Sequence, residues 1–352
     1  MTVLTQYITR NVNRWLRSIP NLWKQEDIQI ITDGYDWVVS EISKSLSSEI
    51  ARKGLARVSA NPFFHFSRNK LLHFNSVPVP RRYKTNRVLA TWYHVNQDDP
   101  RLTQMQEVAS RIDRLHPTAQ KTKQTLIQHG FPEDKIRVVP MGIDLNLFSS
   151  SSPETIKRTR ESLGIPTEAF VIGSFQKDGD GWGEGMNPKL IKGPDVFCDV
   201  IERLAKDLPV HVLLSGPSRG YVKARLTKAN VPFTHRFLNA YQEVNTLYQA
   251  LDVYLISSRT EGVPLALLES WATGTPLVST RVGMVADVAK DDKTALLADI
   301  EDRDKLTFAI RRLFENPTLR QNLITQGLEE VKPYGWEVLI DRYWSELYKP
   351  LL

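Results

Sequence analysis

A single cysteine, Cys198, stands in the 352 residues. That excludes an intramolecular disulfide framework and a cysteine-rich metal site, and it suits a reducing compartment. No apolar run approaches the roughly 18 residues of a spanning helix. A secretory leader is not expected either, because Arg10, Arg14 and Arg17 interrupt any apolar stretch near the N-terminus. There is no internal repeat, no low-complexity segment and no nucleic-acid-binding motif. A cytoplasmic globular protein is the expectation.

Apolar residues make up 41% of the chain and charged residues 24%, the balance of a soluble globular protein. The length suffices for two domains, each with its own core. Charge is unevenly placed: residues 1–150 hold 21 Lys and Arg against 13 Asp and Glu, and residues 151–352 hold 25 against 27. Between Arg52 and Arg87 nine basic side chains occur with no acidic one. Such a face fits nucleic acid, an anionic membrane surface or a phosphorylated acceptor, and composition leaves the three open.

The most informative stretch runs from Ser257 to Gly274. An apolar strand, Val253 to Ile256, leads into a turn carrying Glu261, and Pro264 opens an apolar helix that Gly274 can close. In an open parallel sheet such a loop lies at the carboxyl end of its strand, and the new helix aims unpaired N–H groups at whatever sits there. The natural guest is a phosphate. Glu261 can accept hydrogen bonds from hydroxyl groups at the mouth, and Glu269 lies about two turns into the helix. Two carboxylates beside a phosphate site suggest a polyol phosphate.

The pattern Glu261, seven residues, Glu269, with Gly262-Val263-Pro264-Leu265 after the first acid, resembles the donor-site signature of retaining nucleotide-sugar glycosyltransferases of family 4 (glycosyl transferases group 1). The segment Leu126 to Asp144, ending Pro140-Met141-Gly142-Ile143-Asp144, resembles the family's passage out of its first domain. The resemblance implies an α/β protein of GT-B fold: two Rossmann-like domains facing each other across a cleft. The serines Ser149 to Ser152 and Pro153 form a breaker-rich joint. Residues 1–150 are then the acceptor-binding domain and 151–335 the nucleotide-sugar domain. A C-terminal helix, 336–352, crosses back to complete the first, anchored by Trp336, Tyr343 and Tyr348.

In chain order, residues 5–23 place Ile8, Val12, Trp15, Leu16 and Ile19 at helical spacing, an amphipathic helix packed on its own domain or lying on a membrane. Strands are expected at Ile28–Thr32, Ala56–Ser59, Leu71–Asn75 and Arg87–Thr91. Another is expected between Asp134 and Pro140. Asp33 and Asp36 cap the helix after the first strand or orient an acceptor. In the second domain, strands are expected at Phe170–Phe175, Val210–Ser215, Phe233–Phe237 and Pro276–Thr280. The glycine-rich loop 176–188 does not carry the Gly-x-Gly-x-x-Gly spacing of a dinucleotide site.

The resemblance also implies roles. Lys177 and Lys192 neutralise the donor diphosphate with the backbone of Gly262, Val263, Pro264 and Leu265. Glu261 holds hydroxyls of the transferred sugar, Glu269 those of the ribose, and His94 a further sugar hydroxyl. Gly34 lies beside the active site, and the backbone at Phe237 and Leu238 lines the nucleobase pocket. Asp178-Gly179-Asp180 is similar to the metal-binding Asp-x-Asp of another glycosyltransferase fold, but GT-B enzymes generally need no metal, so neither metal nor cofactor is expected. The reaction implied is transfer of a sugar from a nucleoside-diphosphate sugar, the donor substrate, to a hydroxyl of an acceptor, with retention. The acceptor is a glycan, lipid or small molecule, and the basic first domain suits an anionic or lipid-linked one with peripheral membrane contact; no nucleic-acid partner is expected. The alternatives are a GT-B-fold sugar epimerase or phosphorylase, or a basic membrane- or nucleic-acid-binding protein with a vestigial site.

Overall fold

A computed structural model describes residues 26–32, 38–61, 71–80, 86–93, 95, 99, 101–181, 183–238 and 240–352. The helix expected over 5–23, and Asp33, Gly34, Asp36 and His94, lie outside the described residues. Among the described residues there are two wholly parallel sheets. The first has the order β2-β1-β3-β4-β5, built from β1 Ile28–Ile31, β2 Val58–Asn61, β3 Leu71–Asn75, β4 Arg87–Trp92 and β5 Arg114–Pro117. The second has the order β11-β10-β9-β6-β7-β8, from β6 Phe170–Phe175, β7 Val210–Ser215, β8 Phe233–Arg236, β9 Val253–Ile256, β10 Leu277–Thr280 and β11 Leu296–Ala298. Strands such as β7 and β9 are buried along their whole length, as parallel strands covered by helices on both faces must be.

Three expectations need correction. The second strand begins at Val58, not Ala56, because Val58 is the residue that pairs with Ile28. The strand expected after Asp134 reduces to one bridge between Leu115 and Ile136. The strand β5 was not anticipated at all; Arg-Leu-His-Pro is half polar and ends in proline, and only its place at the sheet edge makes it a strand.

The chain leaves β6 for β7 and β8 on one side and returns to β9, β10 and β11 on the other. Its direction therefore reverses between β6 and β9, and the crevice at their carboxyl ends is where an open α/β sheet takes ligands.

The last residues belong to the first sheet. After the bridge between Ile143 and Gly335, helix Trp336–Tyr343 packs on helix Val38–Arg52, and Lys53 pairs with Asp341 at 2.6 Å. Gly142 has no side chain because the Trp336 indole fills that space. A buried hydrogen-bond chain then fixes Tyr348. The carbonyl of Val139 can only accept, so His116 Nε2 carries its proton and donates at 2.9 Å. His116 Nδ1 accepts from Thr91 Oγ1 at 2.9 Å, Thr91 accepts from His73 Nε2 at 2.6 Å, and His73 Nδ1 accepts from Tyr348 at 2.8 Å. One carbonyl thereby dictates both tautomers, and both rings are neutral.

Burial pushes His73 down to about 3, helped by His116, and burial pushes His116 down to about 4 against the pull of the Val139 bond. His211 and His235 shift the same way, again mainly by burial. Folded-state values below the unfolded value near 6.5 mean that the unfolded chain takes up protons first. The histidines' contribution to stability is complete above pH 6.5 and falls as the pH drops toward 4. For His73 and His116 the loss approaches about 1.4 kcal/mol per histidine per pH unit. Urea unfolding at pH 7.5, 6 and 5 checks this; a midpoint that does not move over that range contradicts the assignment.

Candidate active site

Two loops meet in the crevice between β6 and β9. The loop after β6 is a pinned hairpin: Gly179 bridges Pro188, Asp180 N–H donates to Asn187 at 2.9 Å and Lys189 N–H to Asp178 at 2.7 Å. Two of its glycines, Gly179 and Gly185, allow close backbone packing. A side chain at Gly185, where φ is 75°, would run into the Ser218 carbonyl. Asp178, the first acid of the Asp-Gly-Asp triplet, is buried in an ion pair with the buried Arg219 at 3.0 Å. That guanidinium also donates to the carbonyls of Ser174 at 2.6 Å and Ser215 at 2.8 Å, tying the ends of β6 and β7 together.

The hairpin delivers the turn Leu190–Lys192 to the exit of β9. Gly193 has φ of 61°, and any side chain there would collide with the Ser257 carbonyl. Close approach is thus possible only with glycine. Ser257 Oγ donates to Gly193 O at 2.9 Å, and the N–H groups of Arg259 and Thr260 donate to Ile191 O at 2.9 and 3.1 Å. Arg259 grips both oxygens of Asp195 at 2.8 and 2.6 Å, reaches Leu190 O at 2.6 Å and pairs with Glu301.

This clamp brings together two of the residues expected to act, Lys192 and Glu261. Lys192 Nζ lies 2.6 and 2.7 Å from the two oxygens of Glu261, and Ser258 Oγ donates to Glu261 Oε1 at 2.9 Å. The Lys192 side chain is 22% exposed and that of Glu261 8%. Lys189 was not anticipated. Its proton affinity is depressed first by burial, then by Lys192 and Lys177, against an opposing pull from Glu261. Three lysines therefore share one field with two carboxylates, Glu261 and, more weakly, Asp180, an excess of positive charge that favours an incoming anion. The sequence signal for Lys189 was its spacing of three from Lys192.

The helix that follows begins later than proline placement implied. Leu265 is the N-cap of helix Ala266–Thr273, and Leu267 N–H closes a turn on Pro264 O at 2.9 Å. Gly262 is fixed from the side, because its carbonyl accepts from Met284 N–H at 2.9 Å and Gly283 leaves no room for a side chain. Gly274 ends the helix in the left-handed conformation, as expected. Glu269 is 6% exposed; it accepts from Tyr248 at 2.7 Å and from Tyr241. Burial pushes its carboxyl up, while the two phenols pull it down by bonding the anion. Neither tyrosine was anticipated. Phe237, just past β8, is 68% exposed, and Leu238 packs partly into the core.

Two parallel α/β domains joined in this way have the GT-B fold. Residues 188–330 match the family described as Glycosyl transferases group 1. The chain is 28% identical over 239 residues to a D-inositol 3-phosphate glycosyltransferase of Corynebacterium urealyticum, a match covering 64% of this chain and 54% of the relative. With the enzyme of the same name from Corynebacterium efficiens it is 25% identical over 276 residues, covering 74% and 63%. The chain thus spans little more than half the length of these relatives. Among solved structures, Anabaena Alr3699/HepE in complex with UDP-glucose superposes with a TM-score of 0.74 at 15% identity, covering 92% of this chain and all of that one. Sucrose-phosphate synthase from Thermosynechococcus elongatus gives a TM-score of 0.64 at 19% identity, covering 80% and 74%.

Because Glu261 is largely buried, removing its cation leaves an unpaired charge. Lys192→Met is expected to destabilise the protein by about 1–3 kcal/mol. Adding Glu261→Gln is expected to recover part of that loss. Urea unfolding of both single variants and the double variant measures the coupling; strictly additive effects would show that the pair carries no interaction energy.

Proposed function

We propose that this chain is a retaining glycosyltransferase of family 4 that moves a sugar from a nucleoside-diphosphate sugar to a hydroxyl of an acceptor. The observation that carries the reading is the Lys192–Glu261 pair, set beside the N-terminus of helix Ala266–Thr273 within the segment that matches group 1 glycosyltransferases. Residues 151–335 bind the donor. Residues 1–150, completed by 336–352, bind the acceptor.

The acceptor oxygen bonds to the anomeric carbon as the bond from that carbon to the diphosphate oxygen breaks. The hydroxyl proton passes to an oxygen of the departing diphosphate. Attack on the face that the leaving group vacates gives retention and needs no enzyme nucleophile. Negative charge accumulates on the diphosphate, and Lys177, Lys189, Lys192 and the amides near Val263 to Leu265 stabilise it. These groups supply the charge that a metal would otherwise bring, so no metal or cofactor is invoked. On binding, Lys192 turns from Glu261 to the phosphate and Glu261 is released to sugar hydroxyls. Glu269, held by its tyrosines, accepts the ribose hydroxyls, Phe237 and Leu238 flank the base, and Gly34 and His94 complete the site from the first domain. The UDP-glucose complex of the Anabaena protein makes a uridine donor the first to try. The named activity of the corynebacterial relatives supports an anionic polyol phosphate as acceptor.

Thermal shifts with UDP, GDP, ADP and their sugars test the reading. One nucleoside diphosphate is expected to raise Tm, and Glu261→Ala to keep that shift while losing about 100-fold or more in turnover. If no nucleotide shifts Tm, or a folded Glu261→Ala variant turns over normally, the reading fails.

A further inference from the structure

Helix Gln120–Gln128 starts without a cap of its own. Ala119, its N-cap, has extended backbone and no side chain able to accept. The free N–H of Gln120 donates instead to Asp287 Oδ2 at 2.8 Å. Gln120 follows β5 of the first sheet, whereas Asp287 lies on helix Gly283–Val288, which follows β10 of the second. The two helices pack on each other. A carboxylate at a helix start gains both the hydrogen bond and the favourable end of the helix dipole. Here that gain is available only when the two domains are together.

The same short helix touches the active-site loop at its other end, where Met284 N–H holds the Gly262 carbonyl and Gly283 lies against the Glu261–Gly262 peptide. Six residues thus connect a contact across the cleft to the turn that carries Glu261. We propose that Asp287 is a positioning residue: it latches the two domains together and sets the Glu261 turn in its closed position. Both latch partners are solvent-exposed, so the bond is screened and reversible, as a latch that opens to admit substrate must be. The inference holds whether or not the chain transfers sugar.

The test reads distance and needs no turnover. Spin labels are placed at Gln104→Cys, on helix Arg101–Val108, and Gln321→Cys, on helix Pro317–Glu330; both positions are exposed, and the native Cys198 is buried and does not compete. Asp287→Ala is expected to shift the open-to-closed ratio by about two- to thirty-fold, the range for losing a cap. The interspin distribution should lengthen and broaden while Tm stays near that of the parent. Asp287→Asn keeps an acceptor oxygen and should remain close to the parent. Gln120→Pro removes the donor from the other side at a position where proline suits a helix start. It should open the protein as Asp287→Ala does, and the double variant should open it no further. An unchanged distribution in both single variants, or full additivity in the double, would overturn the latch.

Discussion

The contact on which the site depends is the approach of Gly193 to the Ser257 carbonyl. Only a residue without a side chain permits it, and it brings the turn after β6 against the exit of β9. Lys192 precedes that glycine and Glu261 follows that serine by four positions, so their ion pair is a consequence of where two backbones touch. Arg259 closes the same seam with charge, through Asp195 and Glu301. The acid and the base are therefore held at one point before any ligand arrives, each neutralising the other until an anion competes for the lysine.

Around that seam the protein spends its polar residues on holding strand ends. Arg219 joins β6 to β7, and Asp178 neutralises it. An Asp-Gly-Asp triplet that reads like a metal motif is thus half occupied by a structural ion pair. In the first sheet the same task falls to the chain of Tyr348, His73, Thr91, His116 and Val139. It crosses three neighbouring strands and ties the C-terminal segment to the sheet. The basic stretch between Arg52 and Arg87 is less bare than its composition suggests. Arg52, Lys53, Arg57 and Arg87 pair with Glu49, Asp341, Asp27 and Asp113.

Much of the second domain was legible because its signals are local. Continuous apolar runs such as Val210–Ser215 announce buried strands, and the spacing of Glu261, Pro264 and Gly274 announces a loop opening into a helix. Lys192 was singled out only through the family's Lys-Gly pair, since a lysine alone carries no local signal. What escaped the sequence depends on contacts between distant positions. Tyr241 and Tyr248 meet Glu269 from 28 and 21 residues away, and nothing near either tyrosine marks it. Strand β5 has no apolar run, and its register with β4 defines it. The helix start moved from Pro264 to Ala266 because proline fixes φ without requiring that the helix begin there.

The proposed donor site requires Lys192 to exchange the Glu261 carboxylate for a phosphate. A structure determined with UDP, or with whichever nucleoside diphosphate raises Tm, measures that exchange most directly. The expected result places a terminal phosphate oxygen within about 3 Å of Lys192 Nζ, with Glu261 turned toward the empty sugar site. A nucleotide bound with Lys192 still closed on Glu261, or bound away from the crevice between β6 and β9, would contradict it.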